Sequence, residues 1–311
     1  MKIKHLLCFI ALCLFFTPGK AQQLSVMTLR NGATVYIWED KSKPDVFGMI
    51  AFKVGSVDDP EQYTGLAHYL EHVMFKGTQT IDALDWEKEK PIYEKIIAKY
   101  DERAALSDPA AREAVDKEIN DLTREAAQYA AGNEFSLLVD HMGGQGLNAS
   151  TGYDQTEYHN SFPPSQLEKW LEIYSERLID PVFRGFQTEL EAVYEEYNMY
   201  NDDRGSRMRE FIYEQAFGDH PYARPIIGLP EHLKNPQLSK LIDFYNTWYG
   251  PQNMSIILVG NIDAKEAIPM IRDKFERVPR RAEIHREKKP VRQFKGRTEK
   301  SAKIFYYPML A

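Results

Sequence analysis

His68, Glu71 and His72 lie together in the segment Ala67-His-Tyr-Leu-Glu-His-Val-Met-Phe75. On an α-helix, residues four apart sit about 40° from each other around the axis and residues three apart about 60°, so the three side chains share one face. Two neutral imidazoles at that spacing can hold one zinc ion, and a carboxylate between them can take a proton from a water beside it. The chain has only 8 histidines, so a chance triplet at this spacing is uncommon. A catalytic zinc takes a third protein ligand and keeps one position open. Both cysteines, Cys8 and Cys13, fall in the first 21 residues, so the third ligand is sought among imidazoles and carboxylates of a second element. Thr188-Glu-Leu-Glu-Ala-Val-Tyr-Glu-Glu-Tyr197 carries four glutamates. Glu189 and Glu196, seven apart, nearly eclipse each other on a helix, with Leu190, Val193, Tyr194 and Tyr197 on an apolar side. A carboxylate pair half-buried by such a stripe requires a cation. Glu196 is the assigned ligand and Glu189 its outer or charge-balancing neighbour, with Glu195 the rival for the ligand role.

The elements that must position these groups follow from patterning. Residues 25–29, 33–38 and 46–54 alternate as strands, and Asn31-Gly32 between the first two is a strong hairpin signal. A helix carrying the triplet starts after Gly65. Between about 82 and 131 the stripes Ile92, Ile96, Tyr100 and Val115, Ile119, Leu122, Ala126, Tyr129 predict two antiparallel helices, with Asp108-Pro109 opening the second. This hairpin reads as an insertion. Residues 135–140, 146–152 and 156–162 are expected as strands, 166–178, 187–200, 230–248 and 264–275 as helices, and 254–260 as a buried strand. Tyr194, Tyr197 and Tyr200, at helical spacing, read as core. The expected class is α+β, an antiparallel β-sheet packed with helices.

The formal net charge is −7 over 311 residues, and becomes −10 without the first 21, which carry Lys2, Lys4 and Lys20 but no acid. Such a balance argues against a nucleic-acid binder, whose affinity rests on cationic contacts to phosphate. The apolar run 6–16 behind Lys2 and Lys4, ending in Gly19-Lys20-Ala21, has the layout of a secretory signal cut after Ala21. It is too short for a stable membrane span, which takes about 20 apolar residues. The expected location is therefore periplasmic or secreted. The expected domains are 1–21 as signal peptide, 22–279 as the metal-bearing domain, and 280–311 as a basic linker followed by the start of a truncated second domain at residues 303–307.

The order His-x-x-Glu-His inverts the commoner zinc-peptidase motif, and Gly65-Leu-Ala-His-Tyr-Leu-Glu-His-Val-Met-Phe-Lys-Gly-Thr78 resembles the active-site helix of the insulinase/pitrilysin family, the inverzincins. The resemblance runs from about Thr28 to Val278 and includes Val54-Gly-Ser56, Leu147-Asn-Ala149 with Thr156 and Tyr158, the Glu189–Glu196 helix, His220-Pro-Tyr222, and Trp248-Tyr-x-Pro251. It implies a LuxS/processing-peptidase-like domain with Zn2+ held by His68, His72 and Glu196. It implies Glu71 as general base, Glu189 as acidic neighbour, and Asn148 and Ala149 on an edge strand that pairs with an extended peptide substrate. Family members enclose the substrate between similar domains, and a second domain or partner subunit supplies an arginine and a tyrosine that this chain does not match. The expected function is zinc-dependent endopeptidase, needing that second domain for full activity. The competing expectation is a non-catalytic peptide-binding or scaffold subunit.

Overall fold

Strands that alternate buried and half-exposed residues assemble a sheet with one face against helices. The computed structural model describes residues 23–300, except 285, 287, 288, 292, 295, 297 and 298. The expected signal peptide and the expected strand at 303–307 lie outside the described residues. The elements in chain order are β1 (Gln23–Thr28), β2 (Thr34–Glu39), β3 (Val46–Phe52), α1 (Leu66–Val73), α2 (Trp86–Ala105), α3 (Pro109–Ala126), α4 (Glu134–His141), β4 (Gln145–Thr151), β5 (Thr156–Phe162), α5 (Leu167–Glu176), α6 (Phe186–Asp202), α7 (Arg204–Phe217), α8 (Pro230–Leu233), α9 (Leu238–Trp248), β6 (Met254–Gly260) and α10 (Ala264–Phe275).

The six strands form one sheet in the order β1-β2-β6-β3-β5-β4. The α+β class holds, with one departure from the expected antiparallel sheet. β6 lies between β2 and β3 and runs parallel to β2, with Val35 opposite Ile256 and Ile37 opposite Leu258. A strand that returns from 200 residues away after several helices is free to insert in either direction, and no hairpin constrains it. The helix-facing side buries Val35, Ile37, Ile50, Phe52, Tyr158, Ile256 and Leu258. At its centre the Asn160 side-chain oxygen accepts from Trp170 Nε1 at 2.8 Å and the Tyr174 hydroxyl at 2.7 Å, which satisfies a polar group in the core. β4 is an edge strand, and it ends beside α1.

The expected hairpin is α2 and α3. Asp108 accepts from the Ala111 N–H at 2.9 Å and Pro109 takes the first helical position. Ile92, Ile96, Tyr100, Val115, Ile119 and Ala126 are buried, and Tyr93, Arg184 and Ser239 bonds tie the pair to the body.

Three expectations are corrected. Residues 135–140 form helix α4 rather than a strand. Phe135 and Val139, four apart, are its buried pair, and a six-residue run of mixed β-branched and apolar residues does not separate the two periods. Residues 230–248 are two helices, because Pro236 interrupts them. Helix α7 was not expected. Only Ser206 of it is buried, so it has no apolar stripe to announce it.

Candidate metal centre

α1 carries the triplet. Leu66, Ala67, Tyr69, Leu70 and Val73 bury its inner face, each large side chain contributing about 1.5–3 kcal/mol. Its start is fixed by a close approach: Gly65 has φ +88°, and a Cβ there would meet the Ile227 carbonyl oxygen at 2.5 Å. The orphan amides of the first turn are taken by Asp59, whose two carboxylate oxygens accept from Gly65 N at 2.7 Å and Ala67 N at 2.9 Å. Burial pushes the Asp59 carboxyl up to about 7 despite those donors. Because its folded value exceeds the ordinary 3.8, the folded chain holds a proton that the unfolded chain has released. Its contribution to stability is therefore complete below about pH 4 and falls as pH rises to about 7. Metal-free Asp59→Asn is expected to show a smaller drop in urea midpoint between pH 5 and pH 7.5 than the parent chain. Equal drops in the two proteins would contradict this.

α6 lies across α1 and brings Glu196 to both imidazoles. Glu196 Oε2 is 3.5 Å from His68 Nε2 and 3.6 Å from His72 Nε2. Glu195, the rival, is exposed on another face of the helix. Glu189, one heptad before Glu196, meets the other nitrogen of His72, with Oε2 at 3.4 Å from Nδ1. Its second oxygen pairs with Lys76 Nζ at 2.6 Å. His72 is thus held by a carboxylate on one nitrogen and left with the other for an ion, the arrangement that fixes the tautomer of metal-binding imidazoles.

The electrostatics describe a site short of one cation. Burial, reinforced by the charge of His72 and offset by Glu196, lowers His68 to about 4, so it is neutral at pH 7. Burial also opposes charge on His72, yet its bonds to Glu189 and Glu196 and the charge of Glu71 outweigh that and raise it to about 9. The bond to His72 holds both Glu189 and Glu196 below the usual carboxylate range. In the metal-free chain one proton on His72 supplies what the carboxylates demand.

The donor set fits zinc. The three candidate atoms lie within 4.8 Å of one another. Ligand atoms about 2.0–2.1 Å from a tetrahedral ion are about 3.4 Å apart, close to the Glu196 distances. Among the described residues this is the one cluster of histidines and acids so arranged. Loss of an outer partner of a ligating histidine costs about 10–100-fold in metal affinity. Glu189→Ala, which leaves His72 Nδ1 and Lys76 without their carboxylate, is expected to weaken zinc by that factor in competition with a chromophoric chelator. Unchanged affinity would show that Glu189 does not orient His72.

Glu71 stands beside the cluster. Burial raises its pKa, and Thr151 at the end of edge strand β4 donates to its Oε2 at 2.6 Å, which works against that rise. A cleft of about 430 Å³ opens over these groups, lined by His68, Glu71, Ala149, Thr151, Glu196 and Tyr200 among others. Strand alternation turns Ala149 and Thr151 to this cleft, while Asn148 points to the opposite face and is exposed. Tyr200 is not core: it is 41% exposed and hydrogen-bonded to Glu196. Thr151 and Lys76 were not singled out in the sequence, although Thr151 follows Ala149 at the strand period and Lys76 follows His72 at the helix period.

The family model described as Insulinase (Peptidase family M16) matches residues 34–90 and 122–229, more than half of the chain. The chain belongs to the insulinase family. The part of the M16 match that is skipped, residues 91–121, falls in the α2–α3 hairpin. A second model, Peptidase M16 inactive domain, matches residues 237–310. The chain is similar to "Probable zinc protease PqqL" of Escherichia coli (strain K12), 25% identical over 270 residues that cover 83% of this chain and 23% of that protein. It is also similar to "Zinc protease PqqE" of Helicobacter pylori, 24% identical over 254 residues covering 80% and 46% respectively. Among solved structures, the first half of the periplasmic protease PqqL from Escherichia coli superposes with a TM-score of 0.66 at 24% identity, covering 87% of this chain and 50% of that one. Pitrilysin superposes with a TM-score of 0.65 at 22% identity, covering 88% and 25%. These superpositions show the M16 fold. The chain spans less than half the length of the two curated M16 relatives.

Proposed function

We propose that this chain is the metal-bearing part of a zinc endopeptidase that hydrolyses extended peptides. The observation that carries the reading is the convergence of His68, His72 and Glu196 beside Glu71, with the end of an edge strand bonded to that glutamate. Zinc held there would lower the pKa of a water to about 7 and polarise a carbonyl oxygen. Glu71 takes the proton released by that water, and its raised pKa brings it nearer to the working pH of a general base. It later hands the proton to the departing amine. An extended peptide adds to β4, its backbone bonding along Asn148 and Ala149, so its carbonyls pass Glu71 in register. A second M16 domain or partner subunit completes the cleft, with an arginine and a tyrosine toward the substrate, in line with the partial span of the relatives. The apolar run 6–16 and the periplasmic PqqL support export to the periplasm or beyond.

The test uses residues 22–311 loaded with zinc, alone and with the separately expressed remainder of the enzyme, on a quenched-peptide library. Cleavage supports the proposal. Stoichiometric zinc and peptide binding without cleavage under both conditions would replace it with the peptide-binding subunit.

A further inference from the structure

We propose that Arg209 sets the substrate class, favouring peptides that place an acidic side chain beside the metal centre; this rests on the peptide-binding cleft proposed above. α7 buries only Ser206, so it adds little to the core, and it turns Ser206, Arg209 and Glu210 to the cleft that holds His68, Glu71 and Glu196. Among the described residues lining that cleft, Arg209 alone carries a fixed positive charge. Its Nη2 donates to the hydroxyl of Ser206, one turn back on the helix, at 3.3 Å, which orients the guanidinium. Burial raises the Tyr153 and Tyr200 hydroxyls, and the charge of Arg209 works against that rise in both. The guanidinium is therefore within electrostatic reach of two cleft residues, one of them bonded to Glu196.

The acids around Arg209 are engaged elsewhere. Glu210 accepts from Arg207 Nη1 at 3.0 Å, and Asp203 caps α7 by accepting from the Ser206 N–H at 2.7 Å. Glu189, behind His72, is paired with Lys76 at 2.6 Å. Because metal-binding imidazoles are neutral, a divalent ion on His68, His72 and Glu196 has its charge balanced by Glu196 and Glu71. One positive charge is left over, and among the described residues no carboxylate forms an ion pair with it. A carboxylate is the group a guanidinium fork takes in two parallel hydrogen bonds. Arg209 is exposed, and a peptide laid in the cleft would cover it, so that salt screens the new pair less than it screens an open one. A peptide added to β4 turns alternate side chains to opposite faces, so the acid is selected at alternate positions and not at adjacent ones.

The test measures peptide binding by fluorescence anisotropy on the zinc-loaded chain carrying Glu71→Gln, so that nothing is cut, alone and with the separately expressed remainder of the enzyme. Two labelled peptides of alanine, serine and threonine differ only in a central Glu or Gln. The Glu peptide is expected to bind about three- to tenfold tighter at low salt, with a smaller advantage at high salt. Adding Arg209→Gln is expected to bring the ratio of the two affinities to about one, and Arg209→Glu to invert it, with zinc content unchanged in both. Lys240→Gln removes the same charge from α9, outside the cleft lining, and is expected to keep the parent ratio. Equal affinities in the parent, or a preference for Glu that survives Arg209→Gln, would overturn this proposal and leave the peptidase reading standing. Failure of the parent to bind either peptide under both conditions would overturn the two together.

Discussion

Glu71→Gln is expected to lower kcat by about 10²–10⁴, the usual contribution of a positioned general base, with KM little changed. The amide oxygen can still accept the Thr151 bond that orients the carboxylate, so the side chain keeps its place and loses only its basicity. His68, His72 and Glu196 are untouched, and zinc content is expected to stay at one ion per chain. The comparison is made on whichever preparation cuts quenched peptides, with initial rates and metal content measured on the same samples. A variant retaining more than about a tenth of the parent rate with full zinc would remove Glu71 from the role of base. Loss of zinc together with activity would mean that the residue supports the metal instead.

The second large effect is on the metal. Glu196→Ala is expected to weaken zinc by more than the 10–100-fold that loss of an outer partner costs, because it removes a donor from the ion itself. Glu195→Ala, one residue away but exposed on another face of α6, is expected to leave zinc affinity within twofold. The pair of variants separates position on the helix from acidity in general. Isothermal titration or chelator competition gives the constants. Equal affinities for Glu196→Ala and the parent would sink the assignment, and a loss confined to Glu195→Ala would transfer it to the rival. Without zinc, Glu196→Ala is also expected to bring the His72 pKa down from about 9, since one of the two carboxylates bonded to it is gone. Its metal-free form then keeps the stabilising His72 charge over a narrower range below that value.

Much of the site could be read in the chain because it is built on helical periods. The i, i+3, i+4 spacing of His68, Glu71 and His72 and the heptad between Glu189 and Glu196 are local facts. A helix turns them into shared faces wherever it sits. The apolar stripes of α2 and α3 and the Asp108-Pro109 start are local in the same sense, as are the strand patterns of β2 and β3 and the apolar run of β6. What failed was local too: in residues 135–140 the helical and strand periods cannot be told apart over six residues, and α7 has no buried face to mark it.

Other features depend on contacts between distant segments. The parallel pairing of β6 with β2, the bond from Thr151 to Glu71, the anchoring of α1 by Asp59 and the place of Tyr200 beside Glu196 join residues that no period links. The choice between Glu195 and Glu196 belongs here as well, since both fit an acidic helix and only the crossing of α6 over α1 turns one toward the histidines. Periodicity fixes which side chains share a face, through the 100° step of the backbone. Which face meets which is set by packing the core, whose contacts are decided together and between residues far apart in the chain.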